Sequence, residues 1–136
     1  MSDKILIHTA HMDVRWGDMD AFGHVNNTVY FRYMEQTRIS WLETAAVEMV
    51  VDGEGPVIVN ASCTFLRQLK YPAAIEIRMY ALAPGRASAE TTYEIRRIDQ
   101  PDILYAEGAA KIVWVNFKEE KSVPLPDSVR KSLTGL

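Results

Sequence analysis

The stretch RWGDMDAFGHVNNTVYFRYMEQTR, residues 15–38, decides how the rest of the chain is read. Its first half holds Gly17, Asp18, Asp20 and Gly23, residues that bend backbone, and Asn26 or Asn27 is suited to cap a following helix through its side-chain oxygen. Neither Pro nor Gly interrupts the chain from Asn27 to Asp52, which predicts a helix from Asn27 to about Val50, ended by VDGEGP at 51–56. At about 100° per residue, Tyr30, Tyr33, Met34, Thr37, Trp41, Thr44 and Ala45 share one face, and Arg32, Glu35, Gln36 and Glu43 lie opposite. Val29, Phe31 and Leu42 widen the apolar side, so this helix is expected to be covered on more than one flank.

Outward from the helix the period changes. Residues from Ile5 to Trp16 read as a strand interrupted by His8, His11 and Asp13. After the helix, four runs alternate with period 2: Val57 to Lys70, Ala74 to Leu82, Arg86 to Ile98 and Ile103 to Phe117, separated by YPA, APG and DQPD turns. The set Val57, Val59, Ala61, Cys63, Phe65 marks Cys63 as a core residue, and Ala106, Gly108, Ala110, Ile112 and Trp114 share one face of the last strand. Small residues in mid-strand suit close approach by a helix. Short turns favour antiparallel hairpins, and the sheet's apolar face needs a partner. The expected fold is α+β, a five-stranded antiparallel sheet wrapped around the long central helix. Pro126 and Asp127 could open a short surface helix near the end.

Bulk properties narrow the function. The 136 residues suit one domain, 1–136, and a composition that is 48% hydrophobic and 24% charged is that of a folded enzyme or binding module. A formal net charge of -3 gives no basic footprint for nucleic acid. No run approaches the roughly 18 apolar residues that span a bilayer, no secretory leader is recognisable, and the single cysteine cannot form an internal disulfide. A cytoplasmic protein that binds neither membrane nor nucleic acid is expected.

The turn at 17–26 admits three readings. As a metal site it offers Asp18, Asp20 and His24, but their spacing matches neither the zinc patterns nor the calcium loop, so no metal is expected. As a purely structural turn it would use Asp and Asn side chains to hold its own backbone. As a catalytic site it would set a carboxylate beside the open N–H groups of a helix start, which polarise a carbonyl as an oxyanion develops. Asp20 is placed to attack such a carbonyl or to deprotonate a water that does.

The run GDMDAFGHVNNTVYFRYMEQTR, in this order of elements, resembles the hot-dog-fold acyl-CoA thioesterases of the 4-hydroxybenzoyl-CoA thioesterase type, whose signature is a D-x-D-x-x-G-x-V turn before an aromatic-bearing helix. The resemblance is specific over roughly residues 12–42 and looser to about 117. It implies hydrolysis of acyl thioesters without a cofactor by homodimers or homotetramers with sites between subunits. It also implies that Asp20 is the catalytic carboxylate and that the oxyanion donor is a backbone N–H at about Asn27, with Asn26 adjacent. Asp18 is expected to hold the turn, and Gly23, His24 and Val25 to shape it beside the substrate, with His24 bracing the loop or contacting substrate. Tyr30 and Tyr33 are expected in the core. Arg67, Lys70 and Arg86 are candidates for the coenzyme A phosphates by location. The pattern departs at Pro72, Ala73 and Ala74, where many relatives carry Gly-Asp, which alters a turn and leaves Asp20 alone. An acyl-CoA thioesterase is expected, with a carrier-protein thioesterase or a non-catalytic acyl-CoA-binding module as alternatives.

Overall fold

The computed structural model describes residues 3–45 and 47–135. The chain forms β1 (Ile5–Asp13), a single 3-10 turn (Trp16–Asp18), α1 (Asn27–Thr44), β2 (Glu54–Phe65), β3 (Ala74–Ala81), β4 (Ser88–Arg97), β5 (Ala106–Asn116), β6 (Lys121–Ser122) and α2 (Asp127–Leu133). The sheet order is β1-β3-β4-β5-β2, with β6 added beside β5. Every neighbouring pair is antiparallel.

This order explains the helix. β1 and β2 stand at opposite edges of the main sheet, so the connection between them must cross it, and α1 is that connection. Tyr30, Tyr33, Met34, Thr37, Trp41 and Leu42 are buried on the covered side of α1. They share a core with Ile75, Ile77 and Met79 of β3, Tyr93 and Ile95 of β4, and Ala106, Ala110, Ile112 and Trp114 of β5. Gly108 lets the helix close on β5, since a Cβ there would collide with Met34 Sδ. The architecture is the expected α+β hot-dog fold, an antiparallel sheet around one central helix.

Several boundaries differ from expectation, through local turns as well as contacts between elements. α1 stops at Thr44, six residues early, and the Val47 N–H bonds back to the Leu42 carbonyl at 2.9 Å. The segment after it folds across the start of β2, where a Cβ on Gly55 would meet the Met49 carbonyl. Thr44, placed on the buried face by periodicity, is exposed. β1 ends at Asp13 because Arg15 N–H turns to the Asp18 carboxylate at 2.8 Å. β2 begins at Glu54 and ends at Phe65, leaving 66–73 as a loop.

Within β2 an extra residue interrupts the pairing: Ile58 opposes Ile112 and Asn60 opposes Lys111, leaving Val59 unpaired. The face set therefore changes phase. Pro56 and Ile58, then Ala61, Cys63 and Phe65, look toward the helix side, where regular alternation places Val57 and Val59 with them. Cys63 is half-buried and packs against the core from this edge strand. The C-terminal helix α2 is more than a surface feature: Val129 and Leu133 are buried, and Trp41 Nε1 donates to Ser132 Oγ at 2.6 Å. Among the described residues no helix is long and apolar enough to cross a membrane.

Candidate active site

The turn between the 3-10 segment and α1 is a small hairpin. Its legs are joined by Asn26 N–H to the Asp18 carbonyl (2.9 Å) and Asp20 N–H to the His24 carbonyl (2.7 Å), with Met19 and Val25 bridged between them. Gly23 closes the tip at φ +80, a conformation that a side chain disfavours. Both acids hold backbone, and they hold different parts of it. Asp18 Oδ2 accepts the Arg15 N–H at 2.8 Å and the Tyr33 hydroxyl at 2.7 Å. Asp20 Oδ1 accepts the N–H groups of Phe22 at 2.8 Å and His24 at 3.3 Å. The second Asp20 oxygen has no such partner among the described residues.

The helix start is only partly capped. The Asn26 side chain accepts from the Thr28 N–H at 3.0 Å and the Thr28 hydroxyl at 2.9 Å, and the Asn26 carbonyl accepts the Val29 N–H at 2.9 Å. The Asn27 N–H has no acceptor among the described residues. An open amide in the first helical turn carries the positive end of the helix dipole.

Asp20 and Asn27 line one cleft of about 430 Å³, together with His24, Val25, Tyr30, Phe65 and Arg67. Tyr30 is buried yet reaches the cleft, and its ring meets Phe65 edge-on at 4.9 Å between centroids. Its hydroxyl accepts the Leu69 N–H at 3.3 Å, while the Leu69 carbonyl accepts the Val25 N–H at 2.8 Å. The loop after β2 is thereby fastened over the turn. Burial pushes the Tyr30 hydroxyl above its ordinary pKa. The Tyr33 hydroxyl is raised far more, first by burial and then by the Asp18 carboxylate that it donates to, so it is a permanent donor.

The structure brings most of the expected residues together. Asp20, His24, Val25, Asn27 and Arg67 share the cleft, and Asn26 and Gly23 shape its border. Lys70 is exposed beside the buried Leu69 and is not on the cleft wall. Arg86 is not brought there: it lies past β3 at the opposite end of the sheet, where its carbonyl accepts the Leu125 N–H and Arg130. Tyr33 is in the core as expected, whereas Tyr30 serves both core and cleft. Sequence reasoning missed the part of Phe65, Leu66 and Gln68, which line the cleft only because β2 ends at Phe65. Among the described residues no group of three or more His, Cys, Asp or Glu side chains clusters as a metal ion would require.

Comparison with known proteins bears on the family and the fold. Residues 14–133 match the profile of the thioesterase-like superfamily. A candidate thioesterase from Pseudomonas aeruginosa superposes with a TM-score of 0.90 and is 41% identical, covering 95% of this chain and 99% of its own. A gentisyl-coenzyme A thioesterase superposes with a TM-score of 0.81 at 26% identity, covering 92% of this chain and 98% of its own. An acyl-acyl carrier protein thioesterase from Arabidopsis thaliana chloroplasts is 30% identical over 129 residues, 90% of this chain and 65% of the relative.

Proposed function

The chain belongs to the thioesterase-like superfamily, and from that premise we propose that it hydrolyses acyl-coenzyme A thioesters to the free acid and coenzyme A. The observation that carries this reading is the meeting, in one cleft, of Asp20, one of whose carboxylate oxygens has no partner among the described residues, and Asn27, whose helix-start amide has none among them either.

In the proposed reaction the thioester carbonyl oxygen rests on the Asn27 N–H. The unpartnered Asp20 oxygen attacks the carbonyl carbon, or removes a proton from the water that does. Charge builds on the carbonyl oxygen, where the amide and the helix dipole stabilise it. Collapse breaks the carbon–sulfur bond, and the coenzyme A sulfur leaves with its electron pair and gains a proton. If Asp20 attacked directly, water then hydrolyses the resulting anhydride. His24 braces the turn through its backbone and faces the same cleft, and Arg67 at its border is placed for substrate phosphate.

Asp20→Asn keeps the shape of the side chain and removes its charge. Hydrolysis across a panel of acyl-CoAs is expected to fall by about 10²-fold or more. Turnover equal to the parent's would discard the mechanism. Single-turnover hydrolysis in heavy-oxygen water tests the direct route, since label in Asp20 requires an anhydride that water opens at the Asp20 carboxyl. The similarity to a carrier-protein thioesterase supports a second reading, in which the acyl group arrives on a carrier protein. Comparing rates on coenzyme A and carrier-protein forms of one acyl group decides between them.

The proposal includes assembly into a homodimer or homotetramer. β2 is an edge strand of 12 residues whose Ile58, Val59 and Phe65 are each more than 40% exposed, and Phe65 also lines the cleft. A second copy against this edge would cover that surface and close the cleft.

A further inference from the structure

We propose that Tyr33 is a positioning residue of this site, acting through Asp18 to fix where the Asn27 amide and the Asp20 carboxylate stand relative to each other; the proposal rests on the thioesterase reading above. Tyr33 lies six residues into α1 from Asn27, buried, and touches neither the cleft nor any reacting atom.

Its hydroxyl donates to Asp18 Oδ2, which also takes the Arg15 N–H, and the Asp18 carbonyl takes the N–H of the capping residue Asn26. The chain of bonds is closed. It leaves α1 at Tyr33, passes through the side chain and backbone of Asp18, and re-enters at the helix cap beside Asn27. Because both ends belong to one rigid helix, the bond length of 2.7 Å sets how closely the first leg of the hairpin lies along it. Asp20 stands two residues later on that leg, and its N–H is bonded across the hairpin to His24.

The second leg is held independently. Val25 bonds to the Leu69 carbonyl, and the Leu69 N–H bonds to Tyr30. The two tyrosines stand edge to face at 6.2 Å between centroids, so neighbouring positions of one helix grip the two legs of the turn. Loss of the Tyr33 hydroxyl removes the tie from the body of α1 to the first leg, which is then held by the hairpin's own bonds and by Tyr71 N–H on Met19 Sδ, while the second leg keeps its anchor through Leu69. The carboxylate then moves relative to the amide. Small misplacement of this kind is expressed in the chemical step more than in substrate binding.

Tyr33→Phe removes one oxygen from a buried site. The expected result is a kcat about tenfold lower with KM within about twofold of the parent, and a displaced backbone amide resonance for Asn27 in the free protein. Asp18→Ala should reproduce both effects. The double variant should be no slower than Asp18→Ala, because the two residues act as one link. Asp18→Asn, whose side-chain oxygen can accept the same two donors, should keep kcat within about threefold of the parent. A Tyr33→Phe enzyme with parental kcat, or losses that multiply in the double variant, overturns the proposal. If the parent hydrolyses no acyl thioester, the thioesterase reading fails by itself. The Asn27 resonance then decides the positioning link: displacement in Tyr33→Phe upholds it and an unmoved resonance ends it.

Discussion

At the scale of single residues, the two acids of the D-x-D pair differ in what each keeps free. Asp18 gives its Oδ2 to Arg15 and Tyr33, whereas Asp20 gives Oδ1 to the turn, lines the cleft, and has a second oxygen with no partner among the described residues. The family resemblance implied Asp18 as a brace and Asp20 as the catalytic carboxylate; the bonds of Asp18 fit a brace, and the sequence hid that Asp20 also braces its own loop. It hid Tyr33 as well, since a bond between residues 15 apart depends on how the hairpin folds back on the helix. The cap was legible, because Asn before a helical run has few other uses. Asn26→Ala should lower stability by about 1 kcal/mol, with Asn26→Asp close to the parent, as urea unfolding would report. Cys63 is a milder case. Burial pushes its thiol pKa up to about 11, so alkylation by iodoacetamide at about pH 8 should be far slower than for a free thiol, as mass spectrometry over time would show.

At the scale of elements, periodicity found each long strand and the central helix, and missed where they stop. Nothing in residues 45–52 breaks a helix, yet the chain must turn there to reach β2, and contact with Gly55 decides the path. The small residues of β5 were informative because a helix closes on them: Gly108→Ala should cost about 1–3 kcal/mol, and in a double-mutant cycle its cost should shrink when Met34, itself costly to shorten, is already Ala. On the outer face of the sheet, burial pushes the Glu94 carboxyl up, and Arg96, Tyr80 and Lys4 more than reverse this, leaving it below the ordinary range. A depressed carboxyl adds stability above its unfolded pKa of about 4.3 and loses it as pH falls through the folded value. Arg96→Gln should therefore be less stable than the parent by about 1 kcal/mol near pH 7, and the gap should narrow below about pH 4 in thermal melts.

At the scale of the whole molecule, the fold places the candidate site where the first strand gives way to the helix, and the edge strand β2 passes beside it. A single chain leaves that edge apolar and exposed. Light scattering should find more than one chain per particle, and Val59→Lys should shift the mass toward one. The sequence alone did not reach the shape of the cleft, since Phe65, Leu66 and Gln68 on its wall are distant in the chain from Asp20 and Asn27.

The unpaired Val59 acts on β2 as a comma acts on a sentence. The pairs on either side of it, Ile58 with Ile112 and Asn60 with Lys111, already stand in consecutive register. Deleting Val59 therefore leaves the wording of both halves intact: each side chain keeps its side of the sheet and Phe65 stays against Tyr30. Deleting Ser62 instead shifts the frame of the residues after it, turning Cys63 and Phe65 to the other face or forcing a new irregularity. Two deletions three residues apart in one strand should thus have opposite fates. The shorter chain without Val59 folds with its cleft preserved, and the one without Ser62 loses the cleft wall.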